Sequence, residues 1–192
     1  MVFENFNQAK ADELVALLPG LRPYLVSAHA FEREGDNAIP EVFADVLGQT
    51  LDWPVDAGVV QTNVVGHTGA DGFSRLARQA CFAGPIIRGA DYVMVDDFIG
   101  MDGTLANLRG YIASQCGRVQ AAVALTGKPF SAKLKLSQER LEELRKTHGN
   151  ELEHWWQARF AHAFDALTES EARYLVRTPD VDSIRDRIAA AE

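Results

Sequence analysis

Two adjacent carboxylates, Asp96 and Asp97, follow the mostly apolar run Tyr92 to Val95, and a turn bearing Gly100 and Gly103 then leads through Thr104 into the helical segment Leu105 to Ile112. The apolar run reads as a buried parallel strand, and acids at the carboxyl end of such a strand stand where open α/β sheets bind ligands. The first turn of a helix offers unpaired N–H groups and a positive dipole end, which suit a phosphate. Ionised carboxylates accept hydrogen bonds from sugar hydroxyls, so an acidic pair beside a phosphate cradle points to a phosphorylated sugar.

The string Val93-Met-Val-Asp-Asp-Phe-Ile-Gly-Met-Asp-Gly-Thr104 resembles the signature of type I phosphoribosyltransferases, which bind 5-phosphoribosyl-1-pyrophosphate. The resemblance implies that Asp96 and Asp97 hold the ribose 2′ and 3′ hydroxyls and serve the Mg²⁺ that accompanies the donor. It implies that the backbone of Gly100, Met101, Asp102, Gly103, Thr104 and Leu105, with the Thr104 hydroxyl, holds the 5′-phosphate. By position, the glycine-rich turn Gly66-His-Thr-Gly-Ala-Asp-Gly72 takes the place of the family's pyrophosphate loop, with Gly66, His67, Thr68, Gly69 and Arg75 as donors. Lys128 and Phe130 fall where the family recognises a nucleobase: an aromatic ring to stack and an ammonium to donate. The expected activity is transfer of ribose 5-phosphate to a nitrogen of a nucleobase-like acceptor with release of pyrophosphate. The alternative is a sensor of the same fold that binds the donor without turnover.

Each assignment has a plainer counterpart. Asp often caps loops and helices, glycines often make tight turns, His67 and Lys128 read equally as surface residues, and Phe130 as a cover for the core edge. Met101-Asp-Gly-Thr-Leu105 also matches the start of haloacid-dehalogenase phosphatases, but their aspartyl nucleophile would fall on Gly100, which has no carboxylate. A receiver domain needs a phosphoacceptor Asp after a later strand, whereas the run Val119 to Leu125 ends in Thr126-Gly127.

The chain also departs from the signature. Gly100 stands where the 6-oxopurine branch has its general base, and Met101 and Asp102 replace the usual Thr and Gly. A carboxylate beside a phosphate is repulsive unless it turns away or meets a cation. Only Ala83 to Asp91 joins the predicted helix 71–82 to the signature strand, too short for a long lid, so either another segment, the loop 32–37 or 126–136, covers the site or none does.

These groups need a frame. Alternation over 59–65 (strand), 71–82 (helix), 92–95 (strand), 104–116 (helix) and 118–126 (strand) predicts an α/β fold with a mostly parallel sheet flanked by helices. A helical preface precedes it, with a helix over Gln8 to Leu18, an ambiguous run Leu21 to Phe31, a polar loop Glu32 to Asn37 and a helix opened by Pro40. A helical extension follows: Ser137 to Lys146, a stop at His148-Gly149, Glu151 to Phe164 with Trp155 and Trp156 on a core face, a capping box Thr168 to Glu171, and a last helix after Pro179. The expected division is 1–136 for the ligand-binding core and 137–192 for the extension packed on it.

At 192 residues, with 47% hydrophobic and 24% charged residues, the composition is that of a soluble globular chain. A net charge of -8 without clustered Lys and Arg argues against a nucleic-acid partner. The N-terminus shows no basic region followed by an apolar stretch and no later span of about 20 apolar residues appears, so a cytoplasmic protein without a membrane partner is expected. Cys81 and Cys116 are expected to be buried free thiols in helices, with no zinc cluster. Homodimers are common in the family, and the acidic surface does not forbid one.

Overall fold

Tyr92, Val93, Met94 and Val95 are fully buried, and the strand that contains them is the middle of the main sheet. In the computed structural model, which describes residues 8–28, 31–32, 35–63, 71–127 and 134–191, the first elements are α1 (Gln8–Leu17), β1 (Tyr24–Ser27), β2 (Phe31–Glu32), β3 (Gly35–Asp36), α2 (Ile39–Leu51) and β4 (Val60–Gln61). There follow α3 (Gly72–Ala77), β5 (Phe82–Ala83), β6 (Asp91–Ile99), α4 (Gly103–Ser114) and β7 (Arg118–Gly127). The last are α5 (Gln138–Phe160), a 3-10 turn (Phe164–Ala166), α6 (Glu169–Val176) and α7 (Val181–Ala190).

The main sheet has the order β1-β6-β7 and both pairings are parallel. The fold is α/β, as the alternation of elements predicts. β1 runs beside β6 from Tyr24↔Tyr92 to Ser27↔Val95, while β7 continues alongside from Asp91↔Arg118 to Ile99↔Gly127. Arg118 closes the start of this pairing with two hydrogen bonds to the Asp91 carboxylate, at 2.8 and 3.0 Å. Tyr92, a large polar-tipped residue in a buried strand, keeps its hydroxyl satisfied: it donates to Asp56 Oδ2 at 3.1 Å and accepts from the Ile87 amide at 2.9 Å.

Membership of the sheet differs from expectation in one strand. The strand found within the run 59–65 is not part of it: β4 has two residues and pairs antiparallel with β5, Val60↔Ala83 and Gln61↔Phe82. Thr62 and Asn63 extend that hairpin base through bonds with Cys81, amide to carbonyl at 2.8 Å and Asn63 Oδ1 from the Cys81 amide at 2.7 Å. The place beside β6 goes to Tyr24–Ser27, part of the run that reads ambiguously as helix or strand, because Leu25 and Val26 bury completely there. The N-terminal part is therefore not a purely helical preface, since it supplies a sheet strand and α2, which packs on β1 and β6. The connection to the signature strand is also longer than Ala83 to Asp91, because α3 ends at Ala77 and residues 78–90, with β5 among them, lead to β6.

The chain forms two units, each discontinuous in sequence. The first comprises Met1–Val64, Ala80–Ile99 and Asn107–Gly127, and the second Val65–Gln79, Gly100–Ala106 and Lys128–Glu192. The first has a core of Leu14, Leu18, Leu25, Phe43, Leu47, Trp53, Val93, Val95 and Leu125 around the sheet. The second is helical, with Phe73, Leu76, Leu144, Leu152, Trp156, Phe164, Leu175 and Ile184 at its centre. Burial of a side chain of this kind contributes roughly 1.5–3 kcal/mol.

The helical part follows the sequence closely. α5 is broken at Gly149, with φ 69° and ψ 177°, where the His148-Gly149 stop predicts a boundary, and its second half ends at Phe160 rather than Phe164. Trp156 is fully buried, as its helical face predicts. Asp180 caps α7 through the Ser183 amide at 2.7 Å. The cysteines differ from expectation: both are exposed, Cys81 in the hairpin base and Cys116 in a left-handed turn after α4 with φ 67°. Among the described residues no helix is long and apolar enough to cross a membrane.

Candidate functional site

Asp96 and Asp97 lie within β6, not beyond its end, because β7 extends the pairing through Ile99. Their position is nonetheless distinctive. β1 stops at Ser27↔Val95, and the Ala28 amide makes a last bond to the Val95 carbonyl at 3.0 Å, so the acids begin where β6 loses one of its two neighbours. The Asp97 amide donates to Asp96 Oδ1 at 2.8 Å, a side-chain acceptor that satisfies a backbone donor at this point. Both acids are half-buried and Phe98 beyond them is 45% exposed, so water and polar ligands reach this end of the strand.

The segment that follows β1 supplies a partner that sequence reading did not single out. Asn37 donates from Nδ2 to Asp97 Oδ2 at 3.2 Å and accepts the Ile39 amide on Oδ1 at 3.3 Å. One amide side chain thus steadies a carboxylate and the start of α2. Asn37 closes the polar string Glu32 to Asn37, where side-chain amides favour turns, but its contact with a residue sixty positions later is tertiary.

The glycine turn belongs to the second unit and is knitted to α6. Asp102 has φ 68°, a left-handed conformation suited to the Gly of the signature and tolerated by Asp. Its carbonyl accepts the Ala106 amide at 2.8 Å and so opens α4. The Thr168 hydroxyl donates to the Met101 carbonyl at 2.8 Å. Thr168 and Glu171 form the predicted capping box: Glu171 Oε2 accepts the Thr168 amide at 2.8 Å and Thr168 Oγ1 accepts the Glu171 amide at 3.1 Å. A Cβ built on Gly103 would lie 2.8 Å from Glu171 Oε1, so the carboxylate sits against this glycine and a larger residue would collide with it.

Electrostatics mark the same spot. Asp102 is 6% exposed and neither carboxylate oxygen has a hydrogen-bond partner. Burial, reinforced by the Glu171 charge and opposed by Arg173, pushes its pKa up to about 7. Burial also pushes Glu171 up, against the bonds that Thr168 donates to its charged form. The sequence shows Asp102 at a phosphate turn and a capping box at Thr168, but not that they meet.

Thr104 is half-buried in the first turn of α4, and Leu105 is anchored in the interior at 1% exposure. Arg75 is on α3 in the second unit. Gly66, His67, Thr68, Gly69, Lys128 and Phe130 lie outside the described residues. Gly72, the last glycine of the turn expected to bind pyrophosphate, has a packing reason: a Cβ there would be 2.2 Å from the Tyr174 ring. Among the described residues the strand before that turn is β4, which lies outside the parallel sheet, whereas β1, before the segment 28–38, lies in it.

Mg²⁺ takes oxygen ligands and is commonly held by one or two carboxylates together with substrate phosphates and water. Asp96 and Asp97 fit that mode, being half-buried carboxylates on β6 where its neighbour β1 stops. Among the described residues no group of three or more His, Cys, Asp or Glu side chains could hold a metal ion by itself.

No protein-family model matches the chain. It is 39% identical over 185 residues to Protein TraN of Escherichia coli, a match that covers 94% of this chain and 41% of that protein. It is 36% identical over 104 residues to an uncharacterised protein of Haemophilus influenzae, covering 54% of this chain and 23% of that one. The chain thus spans less than half the length of these curated relatives. Among solved structures it is similar to a purine phosphoribosyltransferase from Pyrococcus horikoshii, with 18% identity, a TM-score of 0.42 and coverage of 68% of this chain and 73% of that one. It is also similar to an adenine phosphoribosyltransferase from Leishmania donovani, with 18% identity, a TM-score of 0.40 and coverage of 85% and 67%. Likeness at that level carries no weight in the assignment of the fold, which rests on the parallel sheet of this chain.

Proposed function

We propose that the protein binds 5-phosphoribosyl-1-pyrophosphate and transfers its ribose 5-phosphate to a nucleobase-like acceptor, releasing pyrophosphate. The observation that carries the reading is the pair Asp96 and Asp97, set in a parallel strand where its neighbour β1 ends and followed within seven residues by a helix-opening Gly-Thr. In this proposal the pair holds the ribose hydroxyls, and the amides from Gly100 to Leu105 with the Thr104 hydroxyl hold the 5′-phosphate. Asn37 keeps Asp97 oriented. Mg²⁺ on the acidic pair and the donor would supply charge neutralisation for the departing pyrophosphate.

The same reading assigns Gly66, His67, Thr68, Gly69 and Arg75 to the pyrophosphate, and Lys128 and Phe130 to the acceptor. The segment 28–38, which links β1 to α2, competes with 66–69 for the pyrophosphate role. Residues 1–136 would form the ligand-binding core and 137–192 the extension. Calorimetry with the donor and Mg²⁺ tests binding, and a pyrophosphate-release screen over purines, pyrimidines and related heterocycles identifies the acceptor. Absence of donor binding ends the proposal.

A second reading is favoured by the glycine turn. Gly100 offers no general base and the turn carries a buried Asp102, which suits a sensor that binds the phosphoribosyl donor without turnover. Binding with no pyrophosphate release across the panel selects it.

A further inference from the structure

We propose that Asp102 is a proton-operated latch on the glycine turn: with its carboxyl group protonated the turn lies against α6, and ionisation drives the turn off. The device lies within the second unit and works whether or not the turn receives a phosphate. The turn and α6 meet on both sides of this residue. The Thr168 hydroxyl donates to the Met101 carbonyl at 2.8 Å, and Glu171 Oε1 lies 2.8 Å from the point a Cβ would occupy on Gly103. Met101 also packs against the apolar centre of the unit. Asp102, between these contacts, is 6% exposed and neither carboxylate oxygen has a hydrogen-bond partner. An ionised carboxylate in that place loses its hydration without replacement, whereas the neutral acid keeps an O–H to donate and escapes most of the penalty. Docking of the turn and protonation of Asp102 therefore favour each other. The backbone acts in the same direction, because Asp102 is left-handed at φ 68°, a conformation that L residues seldom adopt and that a released turn can abandon.

Among the described residues, the charged groups that act on Asp102 are both on α6: Glu171 favours its proton and Arg173 opposes it. Glu171 bears on Asp102 as a negative charge, so of the two acids Asp102 is the one that holds the proton. The charged form of Glu171 is in turn supported by Thr168, whose amide donates to Oε2 at 2.8 Å. α3 packs on α6 as well, and its charged groups are Arg75 and the capping Asp71, which accepts the Ser74 amide at 2.8 Å. α4 carries no charge before Arg109. Asp102 titrates at about 7 in the docked turn against its ordinary 3.8. Its contribution to docking is therefore full below about pH 4, declines as the pH rises and is lost above about pH 7.

Amide hydrogen exchange of the full chain reads the latch at the Ala106 amide, which donates to the Asp102 carbonyl at 2.8 Å. The amides around Leu152 and Trp156 in α5 serve as the reference for global unfolding. In wild type the Ala106 amide should be less protected than that reference and, after correction for the intrinsic exchange rate, lose about tenfold in protection between about pH 6 and pH 8. Asp102→Asn, which tolerates the left-handed turn and cannot ionise, should hold its Ala106 protection constant over that range. Glu171→Gln keeps the capping box and removes a charge that favours the proton, so the carboxyl-carbon NMR shift of Asp102 should titrate at lower pH than in wild type. Wild-type protection of Ala106 that does not change with pH, or the same change in Asp102→Asn, overturns the latch. So does exchange of Ala106 only together with the α5 amides, because the turn then moves only when the whole chain unfolds. An Asp102 titration left in place by Glu171→Gln removes Glu171 from the device and overturns the pairing on which it is built. Should Asp102→Asn fail to fold, the wild-type exchange profile and the Glu171→Gln titration decide between the same outcomes.

Discussion

Two pairs of carboxylates, drawn from one short stretch of sequence and its partners, live in opposite conditions. Asp96 and Asp97 are half-buried on β6, with the Asp97 amide on Asp96 Oδ1 and Asn37 on Asp97 Oδ2. Asp102 is buried without a hydrogen bond to either oxygen, and Glu171 lies beside it under the capping box of α6. The first pair remains within reach of water. In the second, burial disfavours the charged form of both acids. Asp96 and Asp102 are six positions apart in the chain, so desolvation and partners, not local sequence, divide their chemistry.

The largest test of this contrast is the pH dependence of stability. Asp102 titrates at about 7 in the folded protein against its ordinary 3.8, so the folded state holds the proton more tightly. Its contribution to stability is therefore full below about pH 4, falls as the pH rises toward about 7 and stays lost above, a total of at most about 4 kcal/mol at 1.36 kcal/mol per pKa unit. Denaturant unfolding should show wild type losing about 2–3 kcal/mol more than Asp102→Asn between about pH 5 and pH 8. Parallel curves for the two proteins would place Asp102 in water and erase the comparison.

Next in size is Asp97→Ala. Hydrogen bonds to a charged group contribute about 1.5–3 kcal/mol, so donor affinity should drop about 10- to 100-fold while the melting temperature moves by only a few degrees. A collapse in melting temperature would make the acid structural, like the buried groups of β6 beside it.

Thr168→Val removes the hydroxyl that both caps α6 and holds the Met101 carbonyl. A loss of about 1–2 kcal/mol in unfolding free energy is expected, with faster amide hydrogen exchange over 100–106. Exchange unchanged in that segment would disconnect the turn from α6. The smallest effect belongs to Asn37→Ala, about 1 kcal/mol in stability and a few-fold in donor affinity, read by calorimetry. An affinity identical to wild type would remove Asn37 from the description of the acidic pair.

Much of the architecture is legible from the chain alone because it depends on local chemistry. Four mostly apolar residues followed by acids mark β6, Ser137, Thr168 and Pro179 announce three helix starts, and His148-Gly149 marks the break in α5. The misplaced strand has a physical reason too. Val59 to Val65 has strong strand character by composition, but among its described residues only Val60 and Gln61 pair, and they pair with β5, because sheet membership is decided by which neighbour buries more apolar surface. Leu25 and Val26 win that place beside β6 although their own run reads ambiguously. The exposed thiols fail the expectation for the same reason, since Cys116, left-handed in the turn after α4, and Cys81, in a hairpin base, have no core to enter.

The order of residues by itself determined that an acidic pair, a glycine turn and a helix start follow one another, since each is written in side-chain type and spacing over a dozen positions. Only tertiary structure decided that Asn37 reaches Asp97 and that Thr168 and Glu171 meet the turn at Met101 and Gly103. Contacts between residues sixty or more positions apart depend on how whole elements pack, and desolvation, which separates Asp102 from Asp96 and Asp97, exists only once they have packed.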